Sequence, residues 1–323
     1  MPLSEFDLID KYFKNALSGG PEVRCGIGDD AAIVSVPQGM ELALSMDTLV
    51  AGVHFPETTA PADIGHKALA VNLSDMAAMG AEPRWITLSL TLPQDDPSLW
   101  LEGFMSGFSA LARKYSLALI GGDLAHGPLS ITIEIHGWLP AGTAIYRSGA
   151  RPGDRIYVSG TLGDAGLALG VLDQRWSIDR KYHAEIFNRL YRPVPRTALG
   201  MALRGLATSA IDISDGLQAD LAHILEASRA GARLDPGLLP LSEALRQLPL
   251  AEAWEIALTA GDDYELCFTL PAAIPETEIK RLSAITPVHC IGQVTTEAGM
   301  YWQRLDGSVF VPAGTGYKHF RNG

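Results

Sequence analysis

Aspartates stand at the exits of several apolar runs along this chain, and this repeated pattern most constrains what it can fold into. Asp47 ends one apolar segment, Asp75 lies within another, and Asp123 follows Leu117–Ile120. Asp212 and Asp215 bracket a further run. Because α/β proteins place ligands at strand ends and glycine turns, we expect these acids to surround a ligand. So many carboxylates predict a divalent metal.

The stretch Gly26–Ala31 shows the pattern in its most concentrated form. Asp29 and Asp30 are adjacent, in a turn that Gly26 and Gly28 keep narrow. Two carboxylates about 4 Å apart repel by ~1 kcal/mol in water and by ~4 kcal/mol at an effective dielectric near 20. Such a pair raises its own pKa values unless a cation lies between the charges. The turn therefore favours a cation site.

The fold class follows from strands that alternate with helices. Ile86–Leu92 alternates apolar with polar residues, as a half-buried strand does, and Ile131–Leu139 predicts another. Long alternating strands beside helices indicate an α/β (α+β) chain with a mixed sheet. A length of 323 residues suggests two domains, and Gly149–Gly153 is the best joint between them. We expect an N-terminal domain over 1–149 and an α+β domain over 150–323.

Three further segments carry specific expectations. Ser4–Leu17 predicts a helix, which Gly19-Gly20-Pro21 ends. Ser214–Ser228 predicts an amphipathic helix with Ser214 as its N-cap. The basic, proline-broken stretch Arg189–Arg196 is interpreted as a solvated connector.

Charge and composition exclude several classes of protein. A net charge of −12 argues against nucleic acid or an acidic membrane as partner. No run approaches the roughly 18 apolar residues of a membrane span. The 3 cysteines have neither disulfide-framework nor metal-ligand spacing, as in a reducing cytoplasm. If the ligand is a polyanion, bound metal must supply much of the neutralising charge.

Three interpretations of the acidic loops remain open on the residues alone. The acids could be ordinary turn and cap residues. Gly26-x-Gly28-x-x-Ala31 could be a dinucleotide fingerprint, although Asp29 and Asp30 would then face a pyrophosphate and no clear strand leads in. The third interpretation is a magnesium–nucleotide site, since Mg²⁺ binds through carboxylates and substrate phosphates. The sequence has no P-loop and no protein-kinase signature.

A set of motifs with similar spacing along the chain resembles thiamine-monophosphate kinase. They are Gly-Ile-Gly-Asp-Asp-Ala at 26–31, Ser-Met-Asp-Thr-Leu-Val at 45–50, Lys-Ala-Leu-Ala-Val-Asn-Leu-Ser-Asp-Met-Ala-Ala-Met-Gly-Ala at 67–81, Ile-Gly-Gly-Asp at 120–123, Arg-Ser-Gly-Ala at 147–150, Ile-Asp-Ile-Ser-Asp-Gly-Leu at 211–217, Gly-Asp-Asp-Tyr-Glu-Leu at 261–266 and Gly-Tyr-Lys-His-Phe at 316–320. The wider superfamily includes aminoimidazole ribonucleotide synthetase. The resemblance implies an α/β N-terminal domain that dimerises through its strands and an α+β C-terminal domain.

The resemblance also implies a role for each matching residue. Those that would hold Mg²⁺ are Asp30, Ser45, Met46, Asp47, Asp75, Asp123, Asp212 and Asp215. Those that would contact ATP are Gly122, Asp123, Arg147 and Ser214, and those that would contact thiamine monophosphate are His54, Asp262 and Tyr317. Met46 stands where threonine is common and offers only its backbone carbonyl. Asp262 stands where glutamate is common and reaches one methylene less far.

The activity so implied is an ATP- and Mg²⁺-dependent transfer of phosphate to thiamine monophosphate by a cytoplasmic homodimer. The acceptor is already an anionic phosphate, so no strong general base and no covalent nucleophile are expected. The alternatives are another ATP-dependent enzyme of the same superfamily and a magnesium–nucleotide-binding protein that catalyses nothing.

Overall fold

The computed structural model describes residues 4–93, 96–304 and 306–317. The chain divides into two compact units. The first comprises residues 1–76 and 81–142, and the second comprises residues 77–80 and 143–323. The predicted joint at Gly149–Gly153 lies a few residues beyond that division.

The first unit is a mixed sheet with helices. In chain order its elements are α1 (Glu5–Tyr12), β1 (Val23–Cys25), β2 (Ile33–Val34), β3 (Met40–Val50), α2 (Pro61–Ala78), β4 (Glu82–Leu92), α3 (Ser98–Lys114), β5 (Ala118–His126) and β6 (Ser130–Pro140). The strand order is β3-β6-β4-β5, antiparallel except for the parallel pair β4–β5. The expectation of a mixed sheet is confirmed.

One face of this sheet is apolar and carries helix α2. The register aligns Leu49 with Ile131, and Ile133 with Leu88, on that face. Helix α2 lies on that face, as shown by the hydrogen bond that its Asp75 accepts from Ser45 of β3. The sequence alternation of β4 and β6 is therefore explained by fuller burial on the side that carries α2.

Helices α2 and α3 touch through glycine. A Cβ built on Gly107 of α3 would stand 1.8 Å from the carbonyl oxygen of Ala62, and one on Gly65 of α2 would stand 2.2 Å from that of Phe104. Neither position accepts a side chain unless the helices separate. The two helix axes are therefore held at close range.

The opposite face of the sheet is more open at β3. Leu42, Leu44 and Met46 alternate along this edge strand and are 41%, 55% and 59% exposed. On the same face Trp138, which lies opposite Leu42, meets Trp85 edge to face, with ring centroids 5.4 Å apart, against partly buried Val34. Strand β3 thus presents an uncovered apolar row within this chain.

The second unit is an α+β domain. Its elements are β7 (Arg155–Ser159), α4 (Asp164–Leu172), α5 (His183–Tyr191), α6 (Thr197–Leu203), β8 (Ser209–Asp212), α7 (Leu217–Ser228), β9 (Gly231–Leu234), α8 (Leu250–Thr259), β10 (Leu266–Leu270), α9 (Glu276–Ile285), β11 (Val288–Thr295), β12 (Gly299–Gln303) and β13 (Val309–Phe310), with 3-10 turns at Arg180–Tyr182, Pro236–Leu238 and Leu245–Gln247. The strand order is β13-β12-β9-β11-β7-β10-β8. Only β12 and β9 are parallel among the pairs described.

Most predicted elements are found, with three differences. Helix α1 ends at Tyr12 rather than at Leu17, although Ser4 does cap it and accepts from the amide of Asp7. A short strand, β1, does lead into Gly26, so the expectation that none does is wrong. Ser214 is not the cap of α7, whose N-cap is Gly216 with φ +109°. Within the described residues, no helix combines the length and apolar character needed to cross a membrane.

Candidate active site

Strand β3 and helix α2 bring three of the predicted metal ligands together. Ser45 and Asp47 are two apart on β3, so both side chains point to the face that carries α2. The hydroxyl of Ser45 donates to Oδ2 of Asp75 at 2.5 Å. We call Ser45, Asp47 and Asp75 the β3–α2 cluster. Met46 lies between them but points to the opposite face, so it offers the cluster only backbone atoms.

Asp47 has no compensating positive charge in the cluster. Burial, together with the negative charge of Asp75, raises the pKa of Asp47 to about 7. Two acids held in this way stabilise an added cation, because the cation removes both the desolvation penalty and the repulsion. Hard oxygen donors from carboxylate and hydroxyl suit Mg²⁺, which prefers such ligands. The donor set fits the expected metal.

A second group of predicted residues lines one cavity of about 640 Å³. Asp30 enters it from the acidic turn, and Gly122 and Asp123 enter it from β5. Lys14 and the apolar side chains of α1 form another wall. The cavity therefore combines acids, exposed backbone and an apolar surface, as small-molecule sites commonly do.

Gly122 is required by the backbone of the neighbouring strand. Its φ is +156°, and a Cβ there would stand 2.0 Å from the carbonyl oxygen of Leu88. No other residue fits without displacing β4. A ligand in the cavity can consequently approach the β5 backbone at this point without meeting a side chain.

The sheet keeps these two groups apart within the chain. One row across it runs from Asp47 through Ile133 and Leu88 to Gly122. Three strand spacings of roughly 4.8 Å separate the ends of that row by roughly 14 Å. Over residues 4–93, 96–304 and 306–317, no group of three or more His, Cys, Asp or Glu side chains is close enough to hold a metal ion alone.

His54 lies in the turn after β3. Its Nδ1 accepts a hydrogen bond from the amide of Val50 at 2.9 Å. A neutral imidazole with Nδ1 as acceptor carries its proton on Nε2. His54 is thus fixed in the tautomer that presents an N–H donor.

In the second unit, three separate motifs converge on one loop. The amide of Asp262 donates to the carbonyl oxygen of Ser214 at 2.9 Å, and the amide of Tyr317 donates to that of Asp215, also at 2.9 Å. Residues from 211–217, 261–266 and 316–317 therefore meet before α7. The predicted motif at 316–320 continues into residues 318–320, which lie outside the described part of the chain.

No side chain in the described part of the chain caps α7, and Asp220 instead binds the backbone just before the helix. From the first turn of α7, Oδ2 of Asp220 accepts the amides of Ser214 and Asp215, both at 3.0 Å. Burial raises the pKa of Asp220 to about 7, with the charge of Asp215 adding to it. Gly216 has a φ that breaks the helix before Ser214 can cap it. An acid in the first helical turn was the available signal, and the sequence analysis missed it.

The two other predicted residues of this unit are Asp212 and Arg147. Asp212 is buried beside that loop, and Arg147 lies apart from it. Asp212 is 6% exposed and ends β8, where it pairs with Leu266. Arg147 is exposed, and its carbonyl oxygen accepts from Ser228 at 3.4 Å. Ser228 ends α7, a helix of 12 residues, so the backbone of Arg147 lies at the opposite end of that helix from Ser214.

The structure overturns the interpretation of Arg189–Arg196 as a solvated connector. Arg189 donates to Oε1 of Glu265 at 2.7 Å, and Arg196 forms a two-bond pair with both oxygens of that carboxylate. Ser159 donates to Oε2 at 2.5 Å. Glu265 is 0% exposed, and although burial alone would raise its pKa, these donors hold the pKa below its usual range. We call Glu265, Arg189, Arg196 and Ser159 the Glu265 cluster.

The loop beside this cluster has an unusual backbone. Asp262 has φ +70° and Tyr264 has φ +49°, which is the left-handed region that side chains other than glycine rarely adopt. The hydroxyl of Tyr264 donates to Oδ1 of Asp262 at 2.9 Å. Such conformations collect at functional sites, where surrounding contacts hold them.

Comparison with known proteins agrees with this arrangement of two units. Residues 28–139 match the family described as AIR synthase related protein, N-terminal domain, and residues 151–303 match its C-terminal domain. The thiamine-monophosphate kinase of Escherichia coli K12 is 48% identical over 99% of both chains. The chain belongs to the thiamine-monophosphate kinase family.

Solved structures of the thiamine-monophosphate kinase family share the fold. The enzyme from Stenotrophomonas maltophilia K279a superposes with a TM-score of 0.86 at 42% identity, covering 96% of this chain and 99% of that one. A complex of AaThiL with AMPPCP and TMP superposes with a TM-score of 0.76 at 32% identity over 99% of both chains. The resemblance found in the sequence motifs is confirmed.

Proposed function

We propose that this protein transfers the γ-phosphoryl group of ATP to thiamine monophosphate, forming thiamine diphosphate. The observation that carries the proposal is the β3–α2 cluster, in which Asp47 and Asp75 lie close enough for the charge of Asp75 to raise the pKa of Asp47, and in which Ser45 donates to Asp75. Family membership and the relative solved with AMPPCP and TMP support the same substrates.

The proposed metal ligands are the acids of both units together with Ser45 and the backbone of Met46. They are Asp30, Asp47, Asp75, Asp123, Asp212 and Asp215. When bound, Mg²⁺ would reduce the repulsion between two polyanionic substrates and polarise the phosphoryl oxygens. Ser45 orients the carboxylate of Asp75 by donating to one of its oxygens.

The residues proposed to contact ATP and the acceptor are those for which the family resemblance implies these roles. Gly122 leaves the β5 backbone open to the phosphates, and Asp123 lies beside it in the cavity. Arg147 supplies an exposed guanidinium for a bidentate phosphate contact, and Ser214 offers its hydroxyl before α7. His54 donates from Nε2 to the acceptor phosphate. Asp262 and Tyr317 contact the thiamine portion, with a carboxylate and an aromatic face for its cationic ring.

The transfer is proposed to be direct and in line. The acceptor oxygen is already anionic, so positioning and charge neutralisation supply most of the catalysis. None of these assigned residues acts as a covalent nucleophile. ATP made chiral at the γ-phosphorus tests this step: inversion in the product agrees with direct transfer, and retention requires a phosphoenzyme.

The working form is proposed to be a homodimer joined through strands of the first unit. The apolar row Leu42, Leu44 and Met46 on the edge strand β3 supports this, because an uncovered apolar edge strand promotes association. Sedimentation at micromolar concentration tests it. A stable monomer would contradict the proposed dimer.

We also propose that the protein works in the cytoplasm. Cys25, Cys267 and Cys290 are all free thiols, as is usual in a reducing compartment. Fractionation of the cells that make it tests this assignment.

The decisive experiment is a kinase assay on the purified protein with Mg²⁺ and ATP. Thiamine diphosphate should form from thiamine monophosphate, and free thiamine, which lacks the acceptor phosphate, should react poorly. EDTA in excess should abolish turnover, and Mg²⁺ should restore it. ATP hydrolysis with another acceptor would indicate a different enzyme of the superfamily, and ATP binding without turnover would indicate a non-catalytic nucleotide-binding protein.

A further inference from the structure

The segment Gly261–Glu265 alternates between two environments. Asp263 and Glu265 are buried, at 5% and 0% exposure, whereas Asp262 and Tyr264 are partly exposed. The buried pair faces protein, and the partly exposed pair faces the side where 211–217 and 316–317 converge. We call the buried side of the segment, Asp263 and Glu265, the anchoring side. Asp262 and Tyr264 form its partly exposed side.

The anchoring side is held by side chains and backbone together. The carboxylate of Glu265 accepts hydrogen bonds from Arg189, Arg196 and Ser159, as described above. Both carboxylate oxygens of Asp263 accept the amide of Gly163, at 2.9 and 3.0 Å. Removal of any of these partners would leave a buried charge or a buried acceptor without its donor.

The backbone is fixed on the other side by the loop that precedes α7. Tyr264 donates its amide to the carbonyl oxygen of Ile213, and the amide of Ile213 donates to that of Glu265, both at 2.8 Å. The left-handed conformations of Asp262 and Tyr264 lie between these fixed points. They direct both side chains to the same side of the segment, where the Tyr264 hydroxyl reaches Asp262.

We infer that Tyr264 is a positioning residue for thiamine monophosphate: it orients the carboxylate of Asp262, and the Glu265 cluster holds both residues in place. This rests on the proposed function, in which Asp262 contacts the acceptor. A hydroxyl bonded to one carboxylate oxygen fixes the rotation of the carboxylate. The oriented carboxylate then meets the cationic, amine-bearing part of the acceptor in one geometry.

The test is Tyr264→Phe, which removes the hydroxyl and keeps the ring. The KM for thiamine monophosphate should rise about tenfold, while the KM for ATP and kcat change by less than about twofold, because only acceptor binding loses a charged hydrogen bond. A general loss of structure would move both KM values. Tyr301→Phe is the matched control: Tyr301 lies on β12, four strands from β10, and its hydroxyl donates to the carbonyl oxygen of Ala298, just before that strand.

A double-mutant cycle decides whether Tyr264 acts through Asp262. Asp262→Asn should raise the KM for thiamine monophosphate, and adding Tyr264→Phe to it should raise that KM little further. If the two substitutions raise the KM for thiamine monophosphate independently, so that their effects multiply, the inference is wrong. It is also wrong if Tyr264→Phe leaves that KM unchanged. If the unsubstituted protein does not phosphorylate thiamine monophosphate, the proposed function fails and takes the inference with it. Turnover with an unaffected Tyr264→Phe refutes the positioning role alone.

Discussion

The β3–α2 cluster and the Glu265 cluster are both built around buried or half-buried acids, yet they differ in the partners that each acid has. Glu265 meets two arginines and a serine, and its pKa is lowered. Asp47 meets another acid, and its pKa is raised to about 7. The first is a completed charge network that serves structure. The second would be stabilised by an added cation, which agrees with the proposed metal site.

The largest expected effect is on stability, from Glu265→Gln. This change keeps the shape of the side chain but leaves Arg196 without its buried counter-charge, and leaves Arg189 with the more distant Asp164, whose Oδ2 lies 3.8 Å from the arginine Nε. Breaking a buried pair in this way costs about 3–5 kcal/mol in the free energy of unfolding. Urea unfolding measures it. The matched control is Glu278→Gln, which breaks the exposed pair with Arg281 and should cost below about 1 kcal/mol. Equal losses in the two variants would contradict a structural role special to Glu265.

The next effect is on activity, from Asp47→Asn and Asp75→Asn. Each should lower kcat/KM by roughly 100-fold, because metal charge stabilisation is worth several kcal/mol and each 1.36 kcal/mol is tenfold in rate. The free energy of unfolding without metal should not fall, since one of two repelling charges is gone. Asp173→Asn, which removes an exposed partner of Arg175, is the control for both measurements. Near-normal rates and Mg²⁺ dependence in both variants would refute the metal assignment.

The smallest effect is on the pH dependence of stability, measured in EDTA. Glu265 has a lowered folded pKa, so its contribution is present above its ordinary value of 4.5 and is lost as the pH falls through the folded pKa. Asp47 has a raised folded pKa, so it destabilises the metal-free fold increasingly as the pH rises from 3.8 to about 7.

Two variants separate these opposite slopes. Asp47→Asn should gain stability over the unsubstituted protein at pH 8 and show little difference near pH 4. Glu265→Gln should lose stability at pH 8 and show a smaller loss at acid pH. Parallel pH profiles for the two variants would remove the distinction between the clusters.

The sequence predicted the strands and the acids better than it predicted their partners. Periodicity identified β4 and β6, because side-chain alternation is a local property of the chain. It did not reveal that Arg189 and Arg196 pair with Glu265, which is 76 and 69 positions away. Basic residues among prolines are typical of solvated loops, and only the tertiary fold brings a buried carboxylate to them.

The prediction that Ser214 caps α7 was wrong for a related reason. Ser214 is a favourable N-cap type, and its position before an amphipathic stretch satisfied the local rule. The positive φ of Gly216 turns the chain before the helix starts, and Asp220 then binds the freed amides. The choice between two suitable side chains depended on backbone geometry that composition does not encode.

The close contact between Gly107 and Ala62 affects the position of a proposed metal ligand, Asp75, far along the same helix as Ala62. Helix α2 meets α3 at its first turn, whereas Asp75 lies thirteen residues further on, or roughly 20 Å along the helix axis. A methyl group at position 107 would push the first turn of α2 away from α3. The resulting tilt of α2 would move Asp75, near its other end, away from Ser45. The relative position of Asp47 and Asp75 therefore depends on the absence of a Cβ at Gly107, which lies against the far end of α2. An alanine there would be expected to impair catalysis while every proposed ligand remained in place.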